Sequence, residues 1–149
     1  MSALNELLNI FRAASQTERE KGTYFEELMV AYFRTEPYYK ELYSQVWLYS
    51  DWAKETGIDA RDTGIDLVAQ AAGTGDVHAI QCKFYSEDAK VAKSQIDSFF
   101  TASGKRPFTH RIIVTTTNEW SVHAEESLRD QHIPVTKIDL IALSESCID

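Results

Sequence analysis

Two β-rich runs joined by a glycine turn, "GIDLVAQAAGTGDVHAIQCKFY" over 64–85, constrain this chain more than any other feature. Ile65, Leu67 and Val68 before the turn, and Val77, Ile80 and Phe84 after it, are residue types that strands favour, while Gly73, Thr74, Gly75 and Asp76 favour turns. A hairpin is the simplest outcome, yet Asp66 sits inside the first run and Gln81 and Lys83 inside the second. Because side chains alternate along a strand, Ile80, Cys82 and Phe84 share one face and Gln81, Lys83 and Tyr85 the other. On the first run, Ile65 and Leu67 oppose Gly64, Asp66 and Val68. If Thr74 and Gly75 form a two-residue turn, Gly73 pairs with Asp76, Asp66 falls opposite Lys83, and Val68 falls opposite Gln81. The isoleucine faces then belong to the core, and the polar residues gather on the other side.

Around the hairpin the periodicity changes character. Leu4, Leu7, Leu8 and Phe11 recur at helical spacing over 3–16, and Phe25, Leu28, Met29 and Tyr32 do so over 23–36, with Gly22 and Thr23 as a start. Pro37 either closes that helix or begins another. A first strand is expected near 46–49, although the preceding residues also suit a helix. The second and third strands are expected over 62–71 and 77–85. Val91, Ile96, Phe99 and Phe100 predict a helix ended by Gly104, "RIIVTTT" a central strand, "SVHAEESLRDQ" a helix, and "IPVTKIDLIAL" a last strand with a short turn. The order α-α-β-β-β-α-β-α-β describes an α/β domain with a mixed sheet flanked by helices.

Composition then narrows the class. With 149 residues, the chain is one domain able to bury a core, and 44% apolar residues exclude a disordered chain. No run approaches a membrane span, and the N-terminal stretch resembles no targeting peptide. Cys82 and Cys147 are too few and too distant for a disulfide framework or a CxxC site, so a reduced, cytoplasmic protein is expected. The net charge of −8 argues against tight DNA binding by this domain alone. A local basic surface is nevertheless available in Lys83, Lys90, Lys93, Lys105, Arg106 and Arg111. His78, His110, His123 and His132 show no HxxxH or HxxH spacing, which excludes the usual histidine metal sites.

An aspartate, a side-chain amide, a strand carbonyl and a lysine on adjacent strands suit Mg²⁺ and a phosphodiester. Hard oxygens hold the ion, which activates water and offsets charge on phosphate, and Lys83 orients that water or stabilises the transition state. The same residues equally describe a cross-strand Asp66–Lys83 ion pair of about 0.2–1 kcal/mol. Pattern alone leaves both open. Glu26 reads first as a solvated helix residue, and Tyr85 and Gln95 as packing residues before substrate contacts.

The blocks "GTYFEEL", "DTGIDLVA", "AIQCKFY", "SQIDSFFTASGK", "RIIVTTT" and "AEESLRDQHIPV" occur in the order and spacing of Mrr-like restriction endonucleases, a branch of the PD-(D/E)xK nucleases. The chain most resembles the N-terminal nuclease domain of type ISP restriction-modification enzymes and related helicases, over about 22–143. That resemblance implies a restriction-endonuclease-like fold and a Mg²⁺-dependent endodeoxyribonuclease, with Mn²⁺ able to substitute. It places the metal on Asp66, Gln81, the Cys82 carbonyl and Glu26, with Lys83 assisting the attacking water. Gln81 stands where the wider superfamily carries Asp or Glu. Lys90, Lys93, Lys105 and Arg106 are the candidate contacts to double-stranded DNA. An ATP-dependent motor and a methyltransferase are expected in the same polypeptide, so 1–149 reads as the nuclease part of a longer chain. Products would carry 5′-phosphate and 3′-hydroxyl ends. An inactive nuclease-like assembly module, or a nuclease acting on RNA or free ends, are the alternatives.

Overall fold

A computed structural model describes residues 3–14, 18–58, 64–85, 89–129 and 131–145. The elements run α1 (Ala3–Ala14), α2 (Glu18–Thr35), α3 (Pro37–Leu42), β1 (Tyr43–Leu48), α4 (Tyr49–Thr56), β2 (Leu67–Ala71) and β3 (Val77–Lys83). They continue through β4 (Lys90–Val91), α5 (Ser94–Ser103), β5 (Phe108–Thr115), β6 (Glu119–Trp120), α6 (Val122–Ser127), β7 (Val135–Ile138) and α7 (Leu140–Ser144). The main sheet has the order β1-β2-β3-β5-β7, antiparallel from β1 to β3 and parallel from β3 to β7. It is the mixed central sheet that the alternating periodicity predicts. A separate two-stranded parallel ladder joins β4 to β6.

Both faces of the sheet are covered, because a sheet with parallel strands at its centre must bury two apolar surfaces. On one face Leu67, Ala69, Ile80, Ile112 and Val114 pack against Leu8, Phe25, Met29, Phe33 and Leu143 from α1, α2 and α7. On the other, Val68, Ala79 and Ile113 pack against Trp52, Ile96, Phe99 and Ala124 from α4, α5 and α6. Phe25, Phe33 and Phe99 are wholly buried, each stabilising the fold by about 1.5–3 kcal/mol. The expectation of one core face and one polar face is thus corrected. Ile80, Cys82 and Phe84 do share the first face, but the opposite face is a second core, and Gln81 and Lys83 lie on it only at one end of β3.

Several boundaries move for identifiable reasons. Gly22 lies inside α2 rather than at its start. Pro37 begins α3, where its missing amide costs nothing. β1 begins earlier than expected and stops at Leu48, and the unforeseen α4 buries Tyr49, Trp52 and Ala53 at helical spacing. Val91 belongs to β4, not to α5. Asp62 and Thr63, expected at the start of the second strand, lie outside the described residues, and β2 proper begins at Leu67.

Register is corrected as well. Leu67 pairs with Ile80 and Val68 with Ala79, because the turn occupies four residues, 72–75, and not two. Ala71 donates to Asp76 O at 2.8 Å and Gly75, at φ +76°, donates to Ala71 O at 2.9 Å. The two extra residues shift the pairing by two, which preserves the face of each side chain while separating Asp66 from Lys83 as direct partners.

Candidate active site

Beyond Ile80, β3 outruns β2 but stays paired with β5 through Gln81↔Ile113, Cys82↔Val114 and Lys83↔Thr115. One edge of its last three residues therefore lacks a strand, and the Asp66 carboxylate takes that place. Asp66 Oδ2 accepts from the Cys82 amide at 2.8 Å. The Asp66 amide also donates to Ile80 O at 2.9 Å, although Leu67 is Ile80's register partner. Two residues thus oppose one, a β-bulge that breaks the alternation. The consequence is visible in Ile65, which packs with Val68 in the second cluster instead of with Leu67 in the first. Asp66 O accepts from Tyr49 N at 2.8 Å, so the residue is fixed through amide, carbonyl and carboxylate.

Around this edge lies a cleft of about 790 Å³ lined by Glu26, Asp66, Gln81, Cys82, Lys83 and Lys105, among others. Glu26 arrives from α2 because its neighbour Phe25 is wholly buried and meets Phe84 edge-on at 5.3 Å. Lys83 O accepts from Thr116 N at 3.2 Å, and Thr116 Oγ1 both donates to Tyr85 O and accepts from Tyr85 N at 2.6 Å. The threonines after β5 therefore clamp the chain that leaves β3. Burial pushes the Cys82 thiol well up, with Asp66 and Glu26 acting in the same direction and Lys83 opposing them. That thiol is no nucleophile.

Gln81 is 2% exposed. Its Nε2 donates to Gly64 O at 3.4 Å, while its Oε1 is buried without a hydrogen-bond partner among the described residues. An orphaned buried acceptor in a cleft that two carboxylates also line fits a cation, since burial without a partner costs about 1–3 kcal/mol. No group of three or more His, Cys, Asp or Glu among the described residues is arranged for a metal. The oxygens that line the cleft are the Glu26 and Asp66 carboxylates and the Gln81 amide, types that suit Mg²⁺ or Mn²⁺ rather than zinc.

The sequence-derived basic residues divide. Lys105 lines the cleft. Lys90, Lys93 and Arg106 are exposed outside its lining, and Lys93 is paired to Asp97 at 3.0 Å. Arg111 is no surface contact: it is 3% exposed, donates to Gln131 Oε1 at 2.8 Å and Ile133 O at 3.0 Å, and lies 4.7 Å above the Phe100 ring. Gln95 Oε1 accepts from Ala92 N at 2.7 Å at the start of α5, and Tyr85 packs on the second cluster. Missed by sequence were Gly64, Ser98, Thr101 and Ala102 in the cleft wall. The i, i+3, i+4 spacing of Ser98, Thr101 and Ala102 was the available signal.

Among known families, a restriction endonuclease profile of Mrr type matches residues 34–149, a span that begins after Glu26. Among solved structures, the chain resembles "ATP-dependent Type ISP restriction-modification enzyme LlaBIII bound to DNA" at 37% identity and a TM-score of 0.71. That likeness covers 89% of this chain and only 8% of the other. "DNA modification-dependent restriction endonuclease AspBHI" shares the fold at 17% identity and a TM-score of 0.61, over 94% of this chain and 33% of that one. No curated protein gives a match to the sequence.

Proposed function

This chain belongs to the Mrr-type restriction endonuclease family, and from that membership we propose that its cleft hydrolyses double-stranded DNA with a divalent cation, Mg²⁺ or Mn²⁺. Asp66, Gln81, the Cys82 carbonyl and Glu26 would hold the ion. The observation that carries the proposal is the orphaned Gln81 Oε1, set among Glu26, Asp66 and Lys83 from separate elements in one cleft. When bound, the ion supplies water activation and neutralisation of charge on the phosphate.

The chain's own residues supply position and charge. Asp66, fixed at three atoms, needs no reorganisation as charge develops. Lys83 brings an ammonium to the phosphate, orients the attacking water and stabilises the negative charge of the transition state. Water attacks phosphorus as the bond to the 3′ oxygen breaks, leaving 5′-phosphate and 3′-hydroxyl ends. Lys105 meets a backbone phosphate from the facing wall, and Lys90, Lys93 and Arg106 extend the contact outside the cleft.

At a net charge of −8, these few cations cannot hold DNA tightly. A motor and a methyltransferase joined to this domain, as in a type ISP arrangement, would keep the duplex in place. Plasmid nicking at low salt tests the reading, using parent and Asp66→Ala protein in Mg²⁺, Mn²⁺ or EDTA. Metal-dependent nicking lost in the variant is expected. Cleavage that survives EDTA, or persists in Asp66→Ala, would overturn it.

A further inference from the structure

Gly64 is the residue of the cleft whose presence the catalytic reading does not explain. Its φ of +87° is a conformation that L side chains rarely adopt. A Cβ there would lie 3.0 Å from Ser98 Oγ and 3.1 Å from Phe99 N and Ser98 C, so α5 rests directly on its backbone. Its carbonyl is the acceptor for Gln81 Nε2 at 3.4 Å. These three observations coincide on one peptide, which joins the α5 wall of the cleft to the amide on β3.

We propose that Gly64 is a positioning residue whose carbonyl selects an amide at position 81 and decides which end of it is offered to the cation. An amide has one donor end and one acceptor end. With Nε2 turned to the Gly64 carbonyl, the remaining Oε1 is the end left for a positive ligand. The reversed amide would set oxygen against oxygen, and a carboxylate would do so in either orientation. The glutamine is then no weakened version of an acid. It is the side chain that satisfies a carbonyl on one side and a cation on the other, and α5, by pressing on Gly64, keeps that carbonyl in place.

This inference rests on the cation-assisted reading above, and its test separates the two. Mn²⁺ is titrated, with free Mn²⁺ read by electron paramagnetic resonance, into parent, Asp66→Ala and Gln81→Glu proteins. By charge alone, a carboxylate at position 81 should tighten binding by tenfold or more, because it adds a negative charge beside a dication. The Gly64 carbonyl predicts no gain. A tenfold tighter Gln81→Glu protein would overturn the positioning role and leave the metal centre standing. Absent Mn²⁺ binding by the parent, or binding indifferent to Asp66→Ala, would overturn both.

A second measurement needs no charged variant in the cleft. The Gln81 side-chain amide protons, assigned by their loss in Gln81→Met, should exchange with solvent at least tenfold more slowly than those of exposed Gln45. Exchange at the Gln45 rate would remove the hydrogen bond to Gly64 and the proposal with it.

Discussion

Acidification should destabilise this fold through one buried ring. His78 follows the irregularity near the start of the parallel pairing of β3 with β5, is 7% exposed, and lies with its ring centroid 4.4 Å from that of its partner His110. Its Nδ1 is 2.7 Å from the Tyr43 hydroxyl, which burial keeps protonated and able to donate. Burial, with His110 beside it, lowers the His78 pKa from 6.5 to about 4, against the opposing pull of Asp76. The folded ring thus binds fewer protons than the unfolded one between those values. Stability is full above the unfolded pKa and falls as pH drops toward the folded pKa. At pH 5 the unfolded ring has gained about 1.5 pH units of protonation that the folded ring refuses, worth about 2 kcal/mol. Urea denaturation of parent and His78→Gln protein at pH 7 and pH 5 measures it, glutamine keeping an acceptor for Tyr43. The parent should lose about 2 kcal/mol more than the variant over that interval. Equal losses in both proteins would refute the assignment of a buried neutral ring.

Other outcomes follow from burial and position. Lys83→Ala should abolish cleavage while moving the urea midpoint little, since it removes a half-buried charge and no core volume; an active variant would end the catalytic assignment. Ile80→Ala should behave oppositely, costing about 2–5 kcal/mol in urea denaturation, because Ile80 is wholly buried at the centre of the sheet. Arg111→Ala should destabilise the fold by about 3 kcal/mol or more, as it strips two hydrogen bonds and a stacked guanidinium from a buried site. Lys105→Ala should instead leave stability within about 0.5 kcal/mol and lower the salt dependence of DNA binding by about one ion.

Much of this protein was legible without coordinates. The alternating periods set a mixed sheet between helices, and the run carrying Gln81 and Lys83 reads as a strand preceded in the hairpin by the segment that carries Asp66. Those are local properties: residue type fixes backbone preference, and parity fixes the side of a strand. The match of six blocks to one nuclease branch extended the reading to Glu26, which pattern alone left as a solvated helix residue.

What remained required contacts between distant residues. A four-residue turn and a bulge at Asp66 set the register, and the alternation of residue types is blind to either, because a bulge changes parity without changing composition. Arg111 looked like its lysine neighbours until Gln131, Ile133 and Phe100 closed around it. Gly64 gave no signal at all, since its role lies in the nearness of α5 and in one carbonyl. Residue types and their order set which chemical groups this chain carries and on which kind of element. Only the packing of two helical layers on a shared sheet decided which of them meet, because that distance is set by side chains far apart in the chain.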